Sequence, residues 1–135
     1  MIVPGLSKHL LLDFVRSLGD ADCHFALLRS NAQLGPESGY FDGTGEIRAQ
    51  GYAAGGKKLQ NFACGLDNGI AWAAWGNPEW LNASIKASGG VIYAKKQNNR
   101  IVTVLDFGEE KTSSQGLFRI RMPAPGPTNA VVWMA

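Results

Sequence analysis

The sequence predicts an all-β fold, an antiparallel β-sandwich of jelly-roll-like type with one short N-terminal α-helix. Residues 90–107, GVIYAKKQNNRIVTVLDF, contain two alternating apolar runs joined by a Gln-Asn-Asn turn, and adjacent asparagines tolerate the positive φ of a tight hairpin. Further short apolar runs follow at the spacing typical of sandwiches or small barrels. The 17 glycines follow no three-residue period, which favours many turns over collagen.

Size and charge exclude several classes of protein. A chain of 135 residues predicts one domain, 1–135, and a formal net charge of +2 is too small to argue for a nucleic-acid partner. Cys23 and Cys64 lie in apolar stretches, which is typical of buried thiols rather than of a disulfide framework and indicates a reducing site of synthesis. Asp13 interrupts the leucine run 10–12, so we expect neither a signal peptide nor a membrane partner.

The N-terminal region predicts an apolar arm, a helix and a strand. The arm is residues 1–5. Apolar residues at helical spacing predict a helix over residues 7–18, with Ser7 as the N-cap and Gly19 as a left-handed C-terminal residue. The run CHFALLRS, which begins at Cys23, predicts the first strand.

The rest of the chain predicts a loop followed by strands. Residues 31–58 have glycine or proline every few positions and form a long excursion, and long loops in compact domains usually bind something. Residues 59–135 predict a β-meander of six further apolar runs, in which Asp67, Asn68 and Gly69 form one hairpin turn. The runs are LQNFACGL, GIAWAAWG, NASIKASG, the hairpin of residues 90–107, GLFRIRM and NAVVWM.

Motifs associated with enzymes are incomplete. GYAAGGKK, residues 51–58, satisfies G-x-x-x-x-G-K, but Lys58 stands where a phosphate-binding loop needs Ser or Thr, and strand-like segments surround it. Asp106 begins a D-F-G triplet in a chain too short for a kinase. His9 and Asp13 lie one helical turn apart, with no nucleophile tied to them. We therefore expect no enzymatic activity.

The residues that bind metals and sugars give equally weak signals. Cys23 and His24 are adjacent, but Cys64 and His9 do not complete a spacing that zinc sites use, so we expect neither a metal nor another cofactor. Four tryptophans are many for this length. Core packing is their ordinary interpretation and an interface anchor is the other. Trp72 and Trp75 cannot both face inward on an ideal strand.

The second half of the chain combines features in a specific order. The segment WGNPEWLNASIKA precedes GVIYAKKQNNRIVTVLDFGEEKTSSQGLFRIRMP, in which a tyrosine strand, an N-R turn, a V-L-D-F-G strand end and a K-T-S-S-x-G-x-F turn succeed one another before NAVVWMA. In this order the features resemble a broad group of small virion structural proteins of tailed bacteriophages. The opening helix and GYAAGGKKL are similar to the same group. The resemblance covers most of the chain and is weakest between Ser30 and Ile47.

The resemblance implies a non-enzymatic sandwich or jelly-roll-like subunit that coats or completes the particle. We predict a head decoration, or cement, protein on the capsid surface, made in the bacterial host cytoplasm, which bridges major capsid subunits and forms homodimers or homotrimers. Its attachment is expected to be multivalent. The predicted contacts are apolar groups expected at the surface: Ile2, Val3 and Leu6 in the arm, Tyr40, Phe41 and Tyr52 in the excursion, and the tryptophans Trp75 and Trp80.

Three alternatives remain open at the level of sequence. A tail or head-tail connector protein would have the same composition. A carbohydrate-binding or host-adhesion module requires exposed tryptophans that line a groove. A small hydrolase or nucleotide-binding enzyme requires His9 or Lys57 beside a pocket.

Overall fold

A computed structural model describes residues 1–126 and 129–134 and confirms the all-β, sandwich-like fold with antiparallel sheets and one short N-terminal helix. The helix α1 is Lys8–Ser17. The strands are β1 Cys23–Leu28, β2 Lys57–Lys58, β3 Ala63–Asp67, β4 Ile70–Ala74, β5 Glu79–Ala83, β6 Lys86–Ala94, β7 Arg100–Thr112, β8 Gly116–Arg119 and β9 Val132–Met134. No helix in the described ranges has the length and apolar character that a membrane span requires.

The chain forms two compact units. The terminal unit combines Met1–Asp20, Gln60–Gly76 and the chain from Met122 onward, and the central unit combines Ala21–Leu59 with Asn77–Arg121. The expectation of a single domain over 1–135 stays a prediction.

The central unit is built on a four-stranded antiparallel sheet in the order β2-β1-β6-β7, with β5 and β8 forming a separate pair. β1 pairs with β6 from Cys23 opposite Ala94 to Leu28 opposite Gly89. Phe25 and Leu27 in β1 and Ile92 in β6 are fully buried. Burial on both faces explains why CHFALL is almost uniformly apolar rather than alternating.

The predicted hairpin of residues 90–107 is confirmed as β6 and β7. A 3-10 turn, Lys95–Gln97, leads into Asn98 and Asn99, whose φ angles are 59° and 62°. Asparagine adopts this left-handed conformation more readily than most residues do, so the turn could be predicted from the sequence.

The terminal unit packs α1 with a three-stranded antiparallel sheet in the order β3-β4-β9. β3 and β4 are joined by Asn68 and Gly69 with φ angles of 52° and 76°, so the predicted hairpin turn is confirmed. α1 buries Leu11 and Val15, and Leu18 is buried directly after it.

Ser7 is the N-cap of α1, as predicted; its side chain makes no capping hydrogen bond, and its carbonyl accepts from the Leu10 and Leu11 amides at 3.1 and 3.2 Å. Two other local expectations were wrong. Gly19 lies in a 3-10 turn rather than in a left-handed conformation, and a Cβ there would lie 2.6 Å from the Phe62 ring, so close packing explains this glycine. The meander predicted over residues 59–135 was wrong except for its two hairpins, β3–β4 and β6–β7. β5 pairs with β8, β6 pairs also with β1, and β9 pairs with β4.

Candidate functional site

Exposed apolar side chains concentrate in the terminal unit. Of the ten large apolar side chains that are exposed in the described ranges, seven belong to this unit, which makes it the candidate contact surface. They are Met1, Ile2, Val3, Leu6, Leu10, Phe14 and Trp133, here called the terminal apolar set. The other three, Tyr40, Leu81 and Leu117, lie in the central unit.

Helix α1 presents apolar residues on two faces. Leu11 and Val15 point into the unit, whereas Leu10 and Phe14, one position earlier in each turn, remain 58% and 56% exposed. Residues four apart lie on one helix face, so these two side chains form a continuous apolar stripe. The helix thus has more apolar surface than its own unit buries.

The arm that precedes α1 is also apolar and exposed. Ile2 is 96% exposed, Val3 76% and Leu6 70%, and no charged residue occurs before Lys8. These three predicted contacts are therefore at the surface, as the prediction assumed. Tyr40 is also exposed, with the Arg100 guanidinium 5.7 Å from the centre of its ring.

Phe41, Trp75 and Trp80 are core residues, so the expectation that they lie at the surface was wrong. Phe41 is 5% exposed, because its amide donates to the Asn99 carbonyl and so holds its ring against Tyr93. Trp75 and Trp80 are 5% and 2% exposed. Each packs on other aromatic rings of its own unit: Trp75 on Phe62, and Trp80 on Tyr52 and Phe118.

Tyr52 is half-buried and performs a structural task. Its hydroxyl donates to the Glu46 carboxylate and accepts from the Leu27 amide at 3.0 Å, and Glu46 also accepts from the Gly55 amide at 2.7 Å. Burial and the hydrogen bond to Glu46 raise the pKa of Tyr52. Tyr93 donates to the Gly55 carbonyl at 2.5 Å, and burial raises its pKa as well. This network holds the excursion on the sheet.

The motif GYAAGGKK has a structural explanation. Gly56 has a φ of +78°, and a Cβ there would lie 2.0 Å from the Phe25 carbonyl oxygen. A Cβ on Gly51 would likewise lie only 2.7 Å from the Ala83 Cα. The segment then ends in strand β2, Lys57–Lys58, whereas a phosphate-binding loop opens a helix. Its glycines serve close packing of the backbone.

A small titratable cluster lies at the start of β1. Asp22 Oδ1 is 3.2 Å from His24 Nε2 and 3.5 Å from Lys58 Nζ. Burial raises the pKa of the Asp22 carboxyl, but the charges of His24 and Lys58 outweigh burial and lower it overall. Burial, followed by the Asp22 charge, raises the pKa of the Cys23 thiol to about 11, which makes this thiol a poor nucleophile at neutral pH.

The remaining chemistry-bearing residues do not form a reactive arrangement. Asp13 pairs with Arg16 at 3.3 Å on the exposed face of α1, and not with His9. In the described part of the chain no three His, Cys, Asp or Glu side chains come together to hold a metal ion. Cys23 and Cys64 are not joined by a disulfide.

A cationic groove of about 380 Å³ lies between the end of β7 and β8. Lys111, Arg119 and Arg121 line it together with Phe107 and Leu117. Two of its cations are already paired, Lys111 with Glu109 at 2.5 Å and Arg119 with Glu79 at 2.8 Å. The groove therefore has little net charge with which to select an anion.

Sequence reasoning missed Leu10, Phe14 and Trp133. The first two counted only as apolar positions at helical spacing, and neither was predicted to be a contact. The available signal was the width of that face, because the apolar residues between positions 10 and 18 cover more of the helix circumference than one packed side can bury. Of the two tryptophans whose orientations conflict on an ideal strand, Trp72 lies in β4 and donates to Asp67 at 2.7 Å, whereas Trp75 lies beyond the end of that strand.

Comparison of the chain with protein families, with curated proteins and with solved structures finds no match.

Proposed function

We propose that this chain is a bacteriophage head decoration protein, which bridges major capsid subunits at the surface of the virion and is non-enzymatic. The observation that carries the proposal is the terminal apolar set, an uncharged arm and an apolar helix stripe that the unit itself leaves exposed. An exposed apolar patch of this kind marks a protein contact more often than a reaction site. The order of strand and turn motifs supports the choice of a virion protein.

The energetics favour an array over a single strong contact. Burying one large aliphatic or aromatic side chain contributes about 1.5–3 kcal/mol, and association costs at least about 4 kcal/mol in lost freedom of motion. A few arm and helix residues therefore supply a modest affinity for each site. Symmetry raises the overall affinity without new contacts, because linked sites bind at high effective concentration.

The proposal is tested by counting copies of this protein in purified particles of the phage that encodes it. Quantitative mass spectrometry against the major capsid protein should give a ratio near one, or a fixed simple fraction set by the capsid lattice. A handful to a few dozen copies per particle would contradict decoration and would indicate a tail or connector protein. Absence from the particles would overturn the virion assignment altogether.

The contact surface is tested by deleting residues 2–5. The arm is exposed, so the deletion should leave the circular dichroism spectrum and the unfolding midpoint unchanged while it lowers occupancy on particles. Leu81→Asp is the matched control, because Leu81 is 64% exposed but lies in the central unit. If the arm-deleted protein still fully occupied the particles, the arm would not be part of the interface.

A carbohydrate-binding function receives less support. It requires several exposed tryptophans along a groove, and among the described tryptophans Trp75 and Trp80 are buried and Trp133 is 57% exposed.

A further inference from the structure

The two edge strands of the four-stranded sheet differ in how much of their outer edge is covered by other parts of the chain. The β1 edge is closed by the excursion: β2 pairs with it, the Ile47 amide donates to the Leu27 carbonyl at 3.1 Å, and the Arg29 amide to the Gly45 carbonyl at 2.9 Å. Closing an edge in this way prevents it from pairing with another chain.

The β7 edge is closed only at its two ends. At the start, the Phe41 amide donates to the Asn99 carbonyl and the Ile101 amide to the Gly39 carbonyl, both at 2.9 Å. At the far end Asp106, Glu109, Glu110 and Lys111 place charges along the strand, and Gly108 has a φ of +82°. Charges and irregular backbone both discourage strand pairing.

Between these ends the strand is unprotected. Within the described residues, no other strand or loop forms a main-chain hydrogen bond with the outer edge of Val102–Leu105. The four residues are Val, Thr, Val and Leu, uncharged and mostly β-branched, and all are half-buried. Such a stretch is a template for an added strand.

One cavity flanks this stretch; it has a volume of about 320 Å³ and is lined by Pro36, Ser38, Val102 and Val104. A smaller cavity of about 140 Å³ lies over the face of the sheet, because Leu28 of β1, Gly89 of β6 and Leu105 of β7 all line it. Pockets beside a strand edge receive the side chains of a bound peptide, while the main chain supplies the hydrogen bonds.

We propose that the arm Met1–Gly5 of one copy adds as a strand to the Val102–Leu105 edge of a second copy. The arm is apolar, uncharged in its side chains and exposed, and Ile2 and Val3 are the β-branched type that fits a pleated edge. Neither partner buries an unpaired side-chain charge. Pro4 lacks an amide, which an added outermost strand tolerates because one of its sides faces solvent.

Each copy has one arm and one open edge, so the exchange closes as a reciprocal dimer or as a ring, whereas a rotation that does not close would give an open filament. We infer a closed form, because a bounded assembly is what binds a capsid at several places. The inference deepens the proposed function, since it rests on a homo-oligomer as the unit that binds the capsid in several places. It is tested on purified protein without particles, so its failure and the failure of the decoration role are distinguishable.

The first experiment measures mass in solution by light scattering after size exclusion. The full chain should be a dimer or a small ring, Ile2→Asp/Val3→Asp should be a monomer, and the control Leu81→Asp should keep the mass of the full chain. An oligomer that persists in the arm variant would overturn the proposal. A full-length protein that is monomeric at about 0.1 mM would also overturn the proposal, because the open edge would then bind the chain's own arm or the capsid protein and not the arm of a second copy.

The second experiment locates the contact. An acetylated peptide of residues 1–7 is titrated into ¹⁵N-labelled Ile2→Asp/Val3→Asp protein, whose edge is unoccupied, and amide shifts should centre on residues 102–105. A peptide that carries both aspartates is the control and should cause no shifts. Shifts centred on α1, or none with the apolar peptide, would overturn the assignment of the edge.

Discussion

Gly56 lies where the excursion passes closest to β1, and no other residue type fits there. Its φ of +78° already disfavours a side chain, and a Cβ would in addition collide with the Phe25 carbonyl oxygen at 2.0 Å. Gly108 separates the effect of the backbone conformation from that of the collision, since its φ is +82° but a Cβ there would meet no atom within 4 Å.

We predict that Gly108→Ala lowers the free energy of unfolding by about 1–2 kcal/mol, the cost of a left-handed alanine. Gly56→Ala should cost at least twice as much, because β1 must also shift. Urea unfolding of both variants measures the difference. Equal losses would show that β1 accommodates the methyl group and that only the backbone conformation matters.

Asp22 provides a test of charge without a change of shape. Asp22→Asn keeps the size of the side chain and its tolerance for the φ of 54° found there, but it removes the charge that faces His24 and Lys58. The pKa of Asp22 is lower in the folded protein than its ordinary value of 3.8, so the carboxylate stabilises the fold above that pH.

The expected result is a variant that is less stable than the wild type at pH 7. The difference should shrink as the pH falls below 3.8 and through the lower folded-state pKa, where Asp22 becomes protonated and its contribution is lost. Urea unfolding at several pH values between 2.5 and 7 tests this. A difference that is independent of pH would argue against an electrostatic role.

At the scale of elements, the excursion covers the β1 edge of the four-stranded sheet. The hydrogen bonds of the Tyr52 hydroxyl are its main attachment there. Tyr52→Phe leaves the Leu27 amide and Glu46 without the hydroxyl that both contact. An unsatisfied buried group costs about 1–3 kcal/mol, so the variant should lose that much stability. Tyr40→Phe is the control, because its exposed ring keeps the contact with Arg100, and its stability should change by less than about 0.5 kcal/mol. Thermal unfolding of the two variants compares them; similar midpoints would contradict the role given to Tyr52.

Local chemistry decided what could be predicted from the sequence. Both hairpin turns were predictable because Asn68–Gly69 and Asn98–Asn99 carry their conformation in their own residue types. The helix followed from spacing. Pairing of β1 with β6, or of β4 with β9, has no local signal, so the predicted meander was wrong there. The predicted exposure of Phe41, Trp75 and Trp80 was wrong because each packs on a ring from elsewhere in the chain, Tyr93, Phe62 and Phe118 respectively, and no local pattern indicates those contacts.

At the scale of the whole molecule, the two units divide the tasks that the proposals assign. The terminal unit holds the arm and the α1 stripe, and the central unit holds the open edge. The candidate surface residues that were correctly named from the sequence are those of the arm and Tyr40 in the excursion. Both segments are interrupted by proline and glycine, so their isolated apolar side chains have little nearby to pack on.

The helix stripe leads to a further prediction. Leu10→Gln/Phe14→Gln should change the free energy of unfolding by less than about 1 kcal/mol, because both side chains are more than half exposed and glutamine keeps the helix propensity. Occupancy on particles should nevertheless fall. Leu11→Gln, on the buried face, is the control and should cost more than about 2 kcal/mol. Denaturation and particle binding are measured together, and an unchanged occupancy would exclude the stripe from the interface.

The long-range pairing of β1 also has a consequence for timing during synthesis. Cys23 pairs with Ala94 and Leu28 with Gly89, so β1 leaves the ribosome more than sixty residues before its partner. At a translation rate of about 5–20 residues per second, this is a delay of roughly 3–14 s. Throughout that delay the edge of β1 that pairs with β6 has no partner, although the excursion that covers the other edge is already synthesised. Chaperone capture and the rate of translation, rather than the final stability, are therefore expected to limit how much of this protein a cell can accumulate in folded form.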